Sequence, residues 1–152
     1  MTDQEFNELW TNLVHRSSGT TSPPLTRDER LFYAVNLLRG SVPRSGFIGY
    51  FENFTGREIH DAHDGLKELN LDAVLSLLQQ AQAIALGDRP LQDDALPIHV
   101  FPDSLTEKEY EETSDRLDAA MQPLEKRMYE FDSDIWRAIC QFAAQRHMKP
   151  RG

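Results

Sequence analysis

The residues best suited to chemistry stand together at His60-Asp61-Ala62-His63-Asp64. On a helix, His60 and His63 are three apart and His60 and Asp64 four apart, so two imidazoles and a carboxylate share one face. That set can offer three ligands to Zn²⁺ or Fe²⁺, with Glu52 or a water completing the shell, as in a small metal-dependent hydrolase. The spacing is not His-Glu-x-x-His, and His99 is the one other mid-chain histidine candidate. The competing reading, a polar helix surface with a local His–Asp pair, is the preferred one. Cys140, between Ile139 and Phe142, reads as a packed thiol, since nothing near it in the sequence would lower its pKa. Ser17 and Ser18 fall in a loop without a base in register. There is no Gly-Lys-Ser/Thr phosphate loop and no Gly-x-Ser-x-Gly elbow. The expectation is a protein that is not an enzyme and needs no cofactor.

A second group of residues can do electrostatic work. The chain of 152 residues carries a formal charge of −9. From Asp88 to Asp134 there are 14 acids and five bases, a net −9, whereas the rest holds 11 of each. The whole excess therefore lies in one continuous third of the chain. Such a field repels nucleic acid and membrane surfaces and attracts a basic partner. It also serves solubility alone, the competing explanation.

These acids need a helix to order them. Thr106 with Glu109 three residues on is a capping box, and the helix it opens should run to about Phe131, kinked or split at Pro123. At 100° per residue, Tyr110, Leu117, Met121, Leu124 and Met128 share the inward face. Glu107, Glu111, Asp115, Asp118 and Glu125 fall on one flank, roughly 70–150° from its centre. Five carboxylates over about 27 Å give one charge per ~5–7 Å. A DNA strand carries one per ~3.4 Å. One ridge alone is too sparse to pass for DNA, so the loop acids, Asp93 and Asp94 among them, or a second copy must extend it.

The remaining elements are helical. The first helix spans about Asp3–Arg16, with Phe6, Leu9, Trp10, Leu13 and Val14 as its apolar stripe. Ser17–Pro24 reads as loop. A capping box at Thr26 and Glu29 opens a helix that should end near Gly40, with Pro43 enforcing the break. Gly46–Phe54 reads as a short buried helix, Arg57–Asn70 and Leu71–Leu86 as two more, and Asp88–Asp103, with three prolines, as the longest loop, a short strand being admissible within it. Ser133 can cap the last helix. The fold class is all-α: one layered domain of six to seven helices, with residues 1–25 as N-terminal helix and loop, 26–147 as core and 148–152 as tail.

Within that core, Ser45-Gly46-Phe47-Ile48-Gly49-Tyr50-Phe51-Glu52-Asn53-Phe54-Thr55-Gly56 resembles the Gly-Gly-Phe-x-x-Tyr/Phe-Phe-x-Asn-x-x-Gly motif of the DNA-mimic protein family. Leu66 and Leu69 suit the family's next helix, and Tyr129-Glu130-Phe131-Asp132-Ser133-Asp134-Ile135 its C-terminal pattern. Ser45 departs from the first glycine and Arg44 from a preceding Asn. Read from the residues, Gly46, Phe47, Tyr50, Phe51, Asn53 and Gly56 are structural: Phe47, Tyr50, Phe51 and Phe54 make one face, Gly46 and Gly49 allow close packing, Asn53 can bond the backbone at the turn, and Thr55-Gly56 closes the segment. The resemblance implies an all-α homodimer that imitates the charge of DNA and occupies a DNA-binding protein, with no catalytic residues. The partner expected is a basic protein, either a DNA-binding protein or, in an immunity-type role, a toxin. Direct nucleic-acid or membrane binding is not expected. The opening residues lack a signal-peptide pattern, so a cytoplasmic address is the expectation.

Overall fold

In a computed structural model, residues 1–19 and 23–152 are described. The predicted Ser17–Pro24 loop lies partly outside them. Six helices follow in order: α1 (Asp3–Ser17), α2 (Arg27–Asn53), α3 (Gly56–Glu68), α4 (Asp72–Leu86), α5 (Glu107–Glu130) and α6 (Asp132–Gln145). The described residues hold no strand, so the all-α expectation stands. Within the loop, one isolated bridge between Thr55 and Pro97 replaces the admissible strand.

Four helices start in the same way. Thr2, Thr26, Thr55 and Thr106 each accept from the backbone N–H three residues on, and Glu5, Glu29, Glu58 and Glu109 each reach back to the cap. Each box satisfies two otherwise orphaned donors. Those at Thr2 and Thr55 escaped the sequence reading, although Thr-x-x-Glu is legible at both. The expected Ser133 cap does not form: α6 begins at Asp132 behind Phe131, with no side-chain cap bond.

The centre is α2, which touches all five other helices. It does not end near Gly40. It passes through Pro43 and breaks at Gly46, whose φ of 70° and ψ of 177° are non-helical. Proline removes a donor and kinks a helix, but here it does not end one; only glycine tolerates the backbone turn that follows. The positive φ falls on Gly46 and not on Ser45, so the serine Cβ is accommodated. Beyond the break, Phe47, Tyr50 and Phe51 are buried within the core, which α3, α4 and α5 close over. Burial of each such ring stabilises by about 1.5–3 kcal/mol. Asn53, by contrast, is exposed and makes no side-chain hydrogen bond among the described residues, because the Thr55 box already closes that turn.

The segment from Tyr129 to Ile135 fixes α6 to α2. Asp132 accepts two bonds from Arg39, at 2.9 and 3.3 Å, and that guanidinium lies 4.8 Å over the Trp136 ring. The Tyr129 hydroxyl donates to the Pro43 carbonyl at 3.3 Å.

In α1 the expected stripe holds at Leu9 and Leu13, which are buried, and at the half-buried Phe6 and Trp10, but not at its last member. Val14 is 42% exposed, whereas Arg16 is 1% exposed. All five of the Arg16 guanidinium N–H donors are matched. Two go to Glu29, at 2.5 and 2.7 Å, and the others to the Pro23 and Pro24 carbonyls and to Asn12. Arg151, near the C-terminus, reaches the same Glu29 at 3.5 Å. A paired and fully hydrogen-bonded cation thus takes the place in the interface that an apolar residue was expected to fill.

Candidate functional site

The acidic helix α5 is one uninterrupted element. Pro123 lies inside it and Glu107 through Glu130 are all helical, so of the expected kink or split the split does not occur. Its inward face is Leu117, Met121, Leu124 and Met128. Tyr110 does not join them: it is 47% exposed and rests on Phe101 of the preceding loop, ring centroids 4.6 Å apart. Residues 106–112 are all exposed. The first turns of α5 therefore project past the core as an arm, because the body ends before the helix does.

That overhang changes the charge geometry. Glu107, Glu111, Asp115 and Asp118 are exposed as the wheel predicts, and Glu109 and Glu112, on the other flank, are exposed as well. Six carboxylates now lie along ~17 Å of helix, about one per 3 Å of axis. A single DNA strand has one per about 3.4 Å. Among the described residues, their one ion pair is Lys108–Glu112 at 3.9 Å. Elsewhere, Asp28, Glu29, Asp61, Glu68 and Asp132 are each met by an arginine.

Glu125 is placed differently. It is half-buried, and its Oε1 accepts the Phe47 backbone N–H at 3.0 Å, at the restart of the helix after the Gly46 break. A Cβ on Gly46 would stand 2.6 Å from the same oxygen. The carboxylate thus caps the second half of α2 and is drawn off the ridge. Glu125→Ala is expected to lower stability by about 1–2 kcal/mol, the range of a lost helix cap. It should leave binding through the arm intact. Urea unfolding checks the first outcome and titration with a basic protein the second.

Asp93 and Asp94 lie where the long loop docks on the start of α3. Asp93 stands 3.9 Å from Arg57, both largely exposed. The Asp94 carboxylate accepts the Leu96 N–H at 3.1 Å and shapes a local turn. The Asp94 and Leu96 carbonyls accept the N–H groups of Arg57 and Gly56, at 2.8 and 3.2 Å. Gly56 permits this approach, since a Cβ there would meet the Gln92 carbonyl oxygen at 1.8 Å. Arg89 holds the loop at its other end, donating to the Ala85 and Leu86 carbonyls that close α4 and to those of His99 and Val100. Neither residue's part was legible in the sequence, because both depend on which distant carbonyls arrive.

The histidine pair is brought close, with ring centroids 6.5 Å apart, but its nitrogens serve the scaffold. His63 Nε2 donates to Gln82 Oε1 of α4 at 2.7 Å, and His60 Nε2 to the Leu91 carbonyl at 3.3 Å. Burial, ahead of the neighbouring His60 charge, holds His63 below the ordinary histidine range, with the Gln82 bond opposing it. Asp64 is exposed, as is Glu52, and no group of three metal-ligating side chains converges among the described residues. Cys140 is half-buried, and burial raises its thiol pKa, as expected of a residue that packs.

Fold and surface together define a class: an all-α domain in which an acidic helix overhangs a core built around an aromatic–glycine helix. A family model, the DMP19-like protein, matches residues 23–146, and the chain belongs to that family. No curated protein and no solved structure matches it. The matched range begins after α1, which joins the family core through the Arg16–Glu29 cluster, the buried Leu9 and Leu13, and Phe6 and Trp10 packed against Phe32, Trp136 and Tyr33. No helix is long and apolar enough to cross a membrane among the described residues.

Proposed function

We propose that this protein is an acidic protein-binding domain that occupies the basic surface of a DNA-binding protein, as an inhibitor or regulator that resembles DNA in charge. The observation carrying the proposal is the row of exposed carboxylates from Glu107 to Asp118, four of them on the projecting start of α5. The six are spaced along the axis about as densely as phosphates on one strand, and one of them has a cation within ion-pair distance. Carboxylates left without partners lose no internal ion pair when a partner's lysines and arginines approach. Their repulsion in the free protein is also relieved by such a partner. The carboxylate row from Glu107 to Asp118 covers ~17 Å, about half of the roughly 34 Å turn of a duplex, so the reading includes a homodimer whose second copy continues the row.

The test is competition. A basic DNA-binding protein is loaded with fluorescent duplex, and the protein is titrated in at low and moderate salt. Displacement should weaken steeply as salt rises. The fourfold variant Glu107→Lys, Glu111→Lys, Asp115→Lys and Asp118→Lys takes the formal charge from −9 to −1. It should compete at least about 100-fold less well, an expectation based on the several-kcal/mol effects of charge reversal at interfaces. Equal competition by the variant would overturn the proposal.

A further inference from the structure

The loop that connects α4 to α5 encloses a concavity of about 370 Å³. Its apolar wall is Leu86, Pro90, Leu91, Leu96, Pro97 and Ile98. The size lies at the bottom of the ~300–1,000 Å³ range of ligand pockets, enough for one large side chain and too small for most cofactors. Leu96, on the wall, is 65% exposed, the most exposed of the chain's large apolar residues. The wall is held in shape by the Arg89 clasp at one end and the Gly56 docking at the other, so the hollow is preformed.

The surroundings say what fits it. Residues 88–103 carry Asp88, Asp93, Asp94 and Asp103 against Arg89, a net −3. Arg89 points its donors at the α4 C-terminal carbonyls, where its charge is offset by the helix dipole. A hollow lined by proline and aliphatic carbons, with Asp94 on its wall and three more acids in the same loop, matches an apolar side chain from a basic segment. A second copy of this chain fits poorly, because a two-fold contact here would bring together two loops that each carry a net −3.

We infer that this hollow is an anchor pocket that receives one bulky apolar side chain, aromatic or branched aliphatic, from a Lys/Arg-rich segment of the partner protein. The inference rests on the proposed binding of a basic partner and adds an apolar anchor to it. A hot spot of this kind supplies affinity that survives salt, whereas the acidic arm supplies steering.

The probes are two synthetic nine-residue peptides of lysine and arginine, one with a central Trp and the other with a central Ala. Each is titrated into the full chain by calorimetry and amide NMR. The Trp peptide should bind about tenfold more tightly and move the Leu91, Leu96 and Ile98 amide signals. Leu96→Ser should remove that tenfold preference and leave the Ala peptide's affinity unchanged. Because Leu96 is mostly exposed, the variant should keep its fold, and circular dichroism checks that it has. Equal binding of the two peptides, still weakened by salt, overturns the anchor and leaves the acidic-surface reading standing. No binding of either at low salt overturns both. A change in oligomeric state on Leu96→Ser, with the Trp preference retained, overturns the anchor by showing a second copy on the site.

Discussion

Glu29→Ala is expected to destabilise the protein by about 3–5 kcal/mol, the range observed when one partner of a buried ion pair is removed. The substitution leaves Arg16, 1% exposed, with a charge and two N–H donors unmatched in the interface between α1 and α2. It also removes half of the Thr26 capping box and the carboxylate that the Arg151 guanidinium meets. In a chain of this size the loss lowers Tm by roughly 10 °C. Thermal unfolding followed by the fluorescence of Trp10 in α1 and Trp136 in α6 and by circular dichroism checks it; an effect under 1 kcal/mol would show that Arg16 escapes to water without penalty. Burial pushes the Glu29 carboxyl up, but the bonds from Arg16 and from the Thr26 N–H outweigh this and hold it below the ordinary 4.5. Its contribution is therefore complete above that value and is lost as pH falls through the lower folded pKa. Glu29→Gln, which keeps the shape, should flatten the acid limb of the stability profile below about pH 4.5.

Gly56→Ala should act through a clash, not through lost burial. The added Cβ would stand 1.8 Å from the Gln92 carbonyl oxygen and 3.0 Å from its carbon, both backbone atoms that cannot rotate away. The loop must lift, and the bonds from Gly56 to Leu96 and from Arg57 to Asp94 go with it. Overpacking and two lost hydrogen bonds together should lower stability by about 2–4 kcal/mol. Hydrogen exchange distinguishes this from general loosening: the Gly56 and Arg57 amides should lose protection while those of α2 and α5 beyond Leu117 keep theirs relative to the global stability. Protection retained at both amides would show that the loop accommodates the methyl in place. The same lift would open the apolar hollow, so the Trp-peptide preference should vanish in this variant also.

How much of this was legible beforehand follows from the range of the interactions involved. A capping box is read from four consecutive residues, so the starts of α2 and α5 were predicted, and those of α1 and α3 were present to be read in Thr2-x-x-Glu5 and Thr55-x-x-Glu58. The aromatic face of Phe47, Tyr50 and Phe51 followed from spacing alone. Pro43 and Pro123 both stand inside helices: a proline weakens a helix locally, and tertiary packing on either side of it decides whether the helix ends there.

The sequence by itself determined the all-α class, the capped starts of α2 and α5 and the crowding of charge between Asp88 and Asp134, because caps, periodicity and charge counts need no partner from elsewhere in the chain. Only the tertiary structure decided which acids face outward together. Glu125 shares the wheel position of the ridge, but Phe47, 78 residues away, presents an N–H that draws it inward. Tyr110 shares the wheel position of the core, but the body stops short of it, and so Glu109 and Glu112 are exposed beside Glu107 and Glu111. A helical wheel supplies angles about an axis; how far along that axis the rest of the protein extends depends on contacts distant in sequence.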